Sequence, residues 1–203
     1  MKKITSLLIV AVTLMLTLAS CSDSYRTKIT EEEWNALGSI MNYTIKITGK
    51  DTEKISGVYY TSDFSETVKA TQNAEYHMLK YLDDGTTNEY YYFSENGETY
   101  SLRKSDDGTW NAKAKQRGPY SLLEYATPGK VEFDDLTYNI FEKSYSYTSS
   151  ENGTVSYQFY FKDGALVKFD FRESDAYYVW TGTAEVSGVG TTSVTLPEYT
   201  VKE

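Results

Sequence analysis

Residues 154–172 read TVSYQFYFKDGALVKFDFR. Val155, Tyr157, Phe159 and Phe161 fall on every second position. Asp163-Gly164 then interrupts the run, and Ala165, Val167, Phe169 and Phe171 resume the same spacing. A period of two means a strand with one buried and one wet face. Asp-Gly supplies the positive φ angles of a tight hairpin, so this stretch is two antiparallel strands.

The pattern repeats outward. Towards the N-terminus, Leu136 to Thr148 precedes another Asn-Gly signal at 152–153. Towards the C-terminus, Tyr177 to Val186 is one further strand. Val194 to Tyr199 is a terminal segment that Pro197 confines to a sheet edge. The first half carries its own meander. Met41, Tyr43, Ile45 and Ile47 alternate with polar residues. Ile55 to Thr61, Glu66 to Thr71, Glu75 to Leu82, Asn88 to Phe93, Thr99 to Lys104 and Thr109 to Lys115 follow, with turns at Asp84-Gly85, Asn96-Gly97 and Asp107-Gly108. Twenty tyrosines against three prolines suit strands whose faces are half buried with a wet edge.

Two short helices break the meanders. Thr30-Glu31-Glu32-Glu33 is a capping box, and Ile29 with Trp34 is placed as a hydrophobic staple across it. Trp34, Leu37 and Met41 share a face, and Gly38 ends the helix. Gly118-Pro119 opens the second helix, Tyr120 to Ala126, and Pro128-Gly129 stops it. The expected fold class is mostly β with two or more short helices: a curved antiparallel meander, in effect a half-barrel around the central helix.

The N-terminus gives the compartment. Met1-Lys2-Lys3 is basic, and Ile4 to Leu18 carries no charge, which is the layout of a secretory signal. It ends in Leu18-Ala19-Ser20-Cys21, which resembles the lipobox of bacterial lipoprotein precursors. The resemblance implies that the Cys21 thiol takes a diacylglycerol, that residues 1–20 are removed, and that Cys21 becomes the first residue. Two acyl chains give stable membrane attachment where one does not. Residues 21–28 then form a lipidated tether, and 29–203 a single domain, extracytoplasmic and held at the cell membrane or outer membrane. Removing residues 1–20 from the 203 leaves 183, enough to bury about 70% of the unfolded surface without a disulfide. The loss of Lys2 and Lys3 takes the net charge from −9 to −11. That charge excludes nucleic acid and anionic lipid as partners of the folded body. A monomer is expected.

Little of the composition suits catalysis. His77 is the only histidine and Cys21 the only cysteine, so zinc or copper sites of the usual ligand type are not expected, and no cofactor motif is present. His77 falls in a strand and reads as a surface or rim residue. Asp83-Asp84, Asp106-Asp107 and Asp134-Asp135 read as turn residues rather than catalytic or calcium-binding carboxylates. Tyr90-Tyr91-Tyr92-Phe93 is either a strand buried on both faces or a stacking platform for sugars. The chain is not expected to be an enzyme.

The order of lipobox, capped helix, meander, central helix and second meander is similar to that of the LolA/LolB-like lipoprotein carriers. That resemblance implies an unclosed sheet plugged by helices, with an apolar hollow that holds a hydrophobic molecule at the cell envelope. The best-patterned faces make Tyr43, Ile45, Ile47, Tyr157, Phe159 and Phe169 the candidate ligand-binding residues. Two short helices carry few large apolar side chains. Either a gap of several hundred Å³ remains under them, or the sheet folds over and fills it. The alternative reading is a surface module that binds carbohydrate or protein through exposed tyrosines. Cys21→Ser is expected to abolish fatty-acid incorporation and release the protein from membranes. Equal metabolic labelling of the variant would refute the anchor.

Overall fold

The computed structural model describes residues 26–115, 117–127, 131–150 and 153–201. The lipobox, Cys21, Pro128-Gly129 and Asn152 lie outside them. The elements are α1 (Glu31–Ala36), a 3-10 turn (Leu37–Ser39), β1 (Tyr43–Ile55), β2 (Val58–Ala70), β3 (Ala74–Tyr81), β4 (Thr87–Glu95), β5 (Glu98–Lys104) and β6 (Trp110–Ala114). After them come α2 (Leu122–Ala126), a 3-10 turn (Phe133–Asp135), β7 (Thr137–Asn139), β8 (Ser144–Ser149), β9 (Thr154–Lys162), β10 (Ala165–Ser174), β11 (Tyr178–Ser187) and β12 (Tyr199–Val201).

All twelve strands form one open, curved sheet in the order β12-β6-β5-β4-β3-β2-β1-β11-β10-β9-β8-β7. Two antiparallel meanders, β1–β6 and β7–β11, are joined where β1 pairs with β11 over ten residue pairs, Thr44 with Ser187 through Glu53 with Tyr178. The expected half-barrel of antiparallel hairpins is present. The helices cover one face of it, called the inner face below.

Capping places the helices. Thr30 Oγ1 accepts from the Glu33 amide at 3.2 Å, and Glu33 Oε2 accepts from the Thr30 amide at 2.9 Å. Arg26 pairs with the same carboxylate, which holds it down at about 2. Ile29 and Trp34 are both buried, as the staple requires. Trp34 meets Phe159 edge-on with ring centroids 5.2 Å apart, and its indole N–H donates to the Val131 carbonyl at 3.2 Å. The Tyr145 hydroxyl accepts from the Ile29 amide and donates to its carbonyl, which ties the segment before α1 to β8. In α2 the cap is Ser121 with Glu124, so the helix begins after Pro119 rather than at it.

Several boundaries differ from the sequence reading. Ile55 to Thr61 and Glu66 to Thr71 are not separate strands. The chain runs unbroken through Ser62 and Asp63 in β2, and Ile55 ends β1. Leu136 to Thr148 is a small hairpin, β7 and β8, with Lys143 at φ 53° in the turn. In β10 a bulge between Leu166 and Lys168 reverses the alternation. Leu166 is buried and Val167 exposed, opposite to the plain period of two. The C-terminal segment does reach an edge, but β12 pairs in parallel with β6. Val194, Leu196 and Tyr199 on the way pack over a second, smaller core of Ala74, Phe93, Leu102 and Ala112.

The main core lies between the helices and the inner face, and Trp34 is at its centre, 1% exposed. Trp34→Ala should destabilise the domain by about 3–5 kcal/mol, the usual cost of emptying such a site. An unchanged melting temperature would show that the side chain is not packed.

Candidate functional site

The strands of the sheet's middle outrun the helices. β1 and β2 are thirteen residues each, and α1 is six. The helices cover Tyr43, Ile45 and Ile47 at the start of β1. Beyond Ile47 the inner face of β1 continues as Gly49, Asp51 and Glu53. Gly49 lies opposite Gly182 of β11 on one side and Phe64 of β2 on the other. A Cβ on Gly49 would come within 2.9 Å of the Phe64 ring, and one on Gly182 within 2.7 Å of Phe171. The paired glycines let those two rings lie flat over the sheet. Trp180 packs on both, 6.0 Å from Phe64 in a stacked arrangement and 4.4 Å from Phe171.

The Phe64 and Trp180 rings line one side of an open cleft of about 420 Å³. Leu79, Tyr81, Tyr90, Tyr125 and Tyr178 complete its apolar lining, and Asp51, Glu66 and His77 are its polar groups. At the far tips of the same strands the aromatic surface reaches solvent. Tyr59 is 60% exposed, Tyr60 57% and Tyr177 70%, with Ile55 and Val58 beside them.

His77 is 4% exposed, so it is a core residue and not a rim histidine. Glu75 and His77 share the inner face of β3, two residues apart, and the β2–β3 register sets Glu66 beside them. The ring's Nδ1 is 2.8 Å from Glu66 Oε1 and its Nε2 2.6 Å from Glu75 Oε1. A neutral imidazole has one N–H to donate; two carboxylates call for the imidazolium, which has two. Burial alone pushes His77 down, but the hydrogen bonds and charges of Glu66 and Glu75 outweigh it and raise it. Burial likewise pushes Glu75 up, and His77, Arg117 and the Tyr120 amide together bring it below its ordinary value. Arg117 donates to Glu75 Oε1 at 2.6 Å, and the Tyr120 amide to Oε2 at 2.8 Å. The guanidinium also lies over the Tyr92 and Tyr120 rings at 3.9 and 3.7 Å. The Tyr90 ring stacks on the imidazole at 4.5 Å. Both ring nitrogens of His77 are thus committed to carboxylates, and neither is left to take a proton from a substrate.

The residues singled out from the sequence lie elsewhere. Tyr43, Ile45, Ile47, Tyr157, Phe159 and Phe169 are all buried in the main core, none more than 7% exposed, and none lines the cleft. The Tyr43 hydroxyl donates to the Tyr120 carbonyl, and Tyr157 donates to Glu173 at 2.6 Å. The Tyr90–Phe93 run divides by alternation. Tyr90 and Tyr92 face inwards around His77, while Tyr91 and Phe93 pack in the second core. Asp84, Asp107 and Asp135 accept backbone amides within their own turns, as turn residues do. Among the described residues, no group of three acidic, histidine or cysteine side chains is placed to hold a metal ion. The sequence did carry one signal for the cleft. Asp51 and Glu53 sit where the apolar alternation of β1 should continue, opposite Trp180 and Tyr178.

No family model matches the chain, and no curated protein matches it. Two solved structures are similar at low identity. One is a DUF1329 family protein from Desulfovibrio piger, at 11% identity and a TM-score of 0.30, covering 82% of this chain and 93% of its own. The other is a putative outer membrane lipoprotein-sorting protein domain from Vibrio parahaemolyticus, at 12% identity and a TM-score of 0.30, covering 80% and 88%. Likenesses this distant say nothing of what this chain binds.

The charged cluster predicts a pH window. A raised His77 stabilises the fold fully below the histidine's ordinary value of about 6.5 and stops doing so as pH rises through the raised value. A lowered Glu75 stabilises it above about 4.5 and stops as pH falls through the depressed value. The melting temperature should therefore be highest between about pH 4.5 and 6.5 and decline on the alkaline side. His77→Gln should remove that alkaline decline. The same slope in wild type and variant would mean that His77 is not charged in the fold.

Proposed function

We propose that this chain is a lipid-anchored protein of the bacterial envelope whose folded body binds an apolar molecule in the aromatic cleft, without catalysis. The observation that carries this is the cleft itself: the helices fill the inner face under them and stop, and seven apolar side chains are left around about 420 Å³. A concave, largely apolar space with a few convergent polar groups is the usual form of a small-molecule site.

The anchor fits this arrangement. Arg26 and Asp163 exchange two hydrogen bonds: the Arg26 amide donates to the Asp163 side-chain Oδ1, and the Asp163 amide donates to the Arg26 carbonyl, both at 2.8 Å. The body is therefore fixed to the chain five residues after Cys21, at the β9–β10 turn. That turn lies at the end of the sheet opposite the β1–β2 tip, as the registers of β10, β11 and β1 require. A lipid on Cys21 would hold the β9–β10 end near the bilayer and turn the aromatic tip away from it. The exposed tyrosines at that tip support the second reading, a surface that binds carbohydrate or protein.

The test uses the mature domain and the neutral fluorophore N-phenyl-1-naphthylamine. Saturable binding at micromolar concentration is expected. Tyr178→Asp should weaken it by roughly tenfold, equivalent to about 1.4 kcal/mol. A natively folded domain that shows no saturable binding would remove the apolar-ligand reading and leave the surface-binding one.

A further inference from the structure

The charges of β1 are sorted by face. Along β1, Lys46, Lys50 and Lys54 occupy the outer face, where Lys50 pairs with Asp63 at 2.7 Å. Asp51 and Glu53 occupy the inner face. Across the β1–β11 pair, Asp51 lies directly opposite Trp180, and Glu53 directly opposite Tyr178. Side chains so paired are neighbours, their Cβ atoms about 5 Å apart. Each aromatic wall on that side of the cleft thus has a carboxylate beside it. The His77 imidazolium, the one cation among the described lining residues, is already bonded to Glu66 and Glu75; no lysine or arginine lines the cleft, and among the described residues Asp51 has no ion-pair partner. The arginines of the inner face are placed beyond Tyr90: Arg103 lies 5.6 Å from that ring's centroid, and Arg117 is bonded to Glu75.

We propose that the cleft selects a cationic molecule, an ammonium group carried on an apolar body. This rests on the apolar-ligand reading above and narrows it. An ammonium is drawn both to carboxylates and to the faces of Trp and Tyr, and the two attractions add where the groups alternate around one space. An anionic amphiphile such as a fatty acid meets repulsion at the same place. The tyrosines register the field. Burial first, then the charges of Asp51, Asp84, Glu53 and Glu66, push the Tyr81 hydroxyl up; burial, then Glu173, Asp175 and Asp51, do so for Tyr178.

The experiment compares three ligands with one tail: octyltrimethylammonium, octanol and octanoate, titrated against the mature domain and followed by calorimetry. The ammonium should bind about tenfold more tightly than octanol, and octanoate more weakly than either. Asp51→Asn, and separately about 0.5 M salt, should shrink the ammonium-to-octanol ratio several-fold. Saturable binding of all three with equal affinity would overturn the cation inference and leave the apolar reading standing. Binding of none, with the domain folded, would remove both. Cosedimentation with phosphatidylcholine vesicles distinguishes the source: pelleting that Asp51→Asn abolishes assigns a lipid headgroup, and tight octyltrimethylammonium binding without pelleting assigns a free cation.

Discussion

The structure depends on a shortage of helix. A twelve-stranded open sheet has an inner face far larger than α1 and α2, eleven residues between them, can cover. An apolar sheet face left bare would be costly in water. The chain meets this in three ways. Under the helices it places Tyr43, Ile45, Phe159 and Phe161 and packs them to completion. On the outer face it lays its own C-terminal segment over the second core. On the inner face beyond the helices it replaces aliphatic residues with tyrosine, tryptophan and carboxylates, which tolerate a wet boundary. The cleft is where the third solution applies.

The buried charges follow from the same geometry. Glu66, Glu75 and His77 belong to strand faces that the helices only partly cover, and Arg117 closes over them from the segment between β6 and α2. Two carboxylates, one imidazolium and one guanidinium sum to no net charge. A set balanced in this way avoids the penalty of an isolated buried ion, and removing one member would leave the others unpaired. The cluster also holds Tyr90 by stacking, and so fixes a wall of the cleft. The shape of the cleft and the protonation of His77 are therefore linked through one ring contact.

Much of the fold was legible in the sequence. The period of two and the Asp-Gly and Asn-Gly turns gave nearly every hairpin, and the capping box and staple gave the start of α1; its end did not follow, since the helix stops at Ala36 and Gly38 lies inside the 3-10 turn after it. What was not legible depends on contacts between distant segments. The bulge at Val167 leaves no mark in a run of apolar residues, because either face could take them. Ser62 and Asp63 read as a break in β2, yet pairing with Asp51 and Lys50 of β1 carries the strand through. The parallel pairing of β12 joins residue 199 to residue 110, which no local pattern encodes. Glu75-x-His77 did place two polar groups on one face of a strand. Glu66 joins them only through the β2–β3 register.

The same limit explains why the best-patterned residues were not the ones around the cleft. A clean apolar alternation marks a face that is fully covered, and a fully covered face has no room for a ligand. Tyr43, Ile45 and Ile47 are regular because α1 and α2 sit on them. Two strand positions further on, the alternation fails at Gly49, Asp51 and Glu53, and there the sheet opens. Gly49 and Gly182 give up side chains so that Phe64 and Phe171 can lie flat, and Asp51 gives up apolar contact beside Trp180. Each departure costs local stability and has no compensation within the strand itself. Departures of this kind collect at functional sites. In a sheet protein with few helices, the place to look for a ligand is therefore where a long strand leaves its hydrophobic pattern without leaving the sheet.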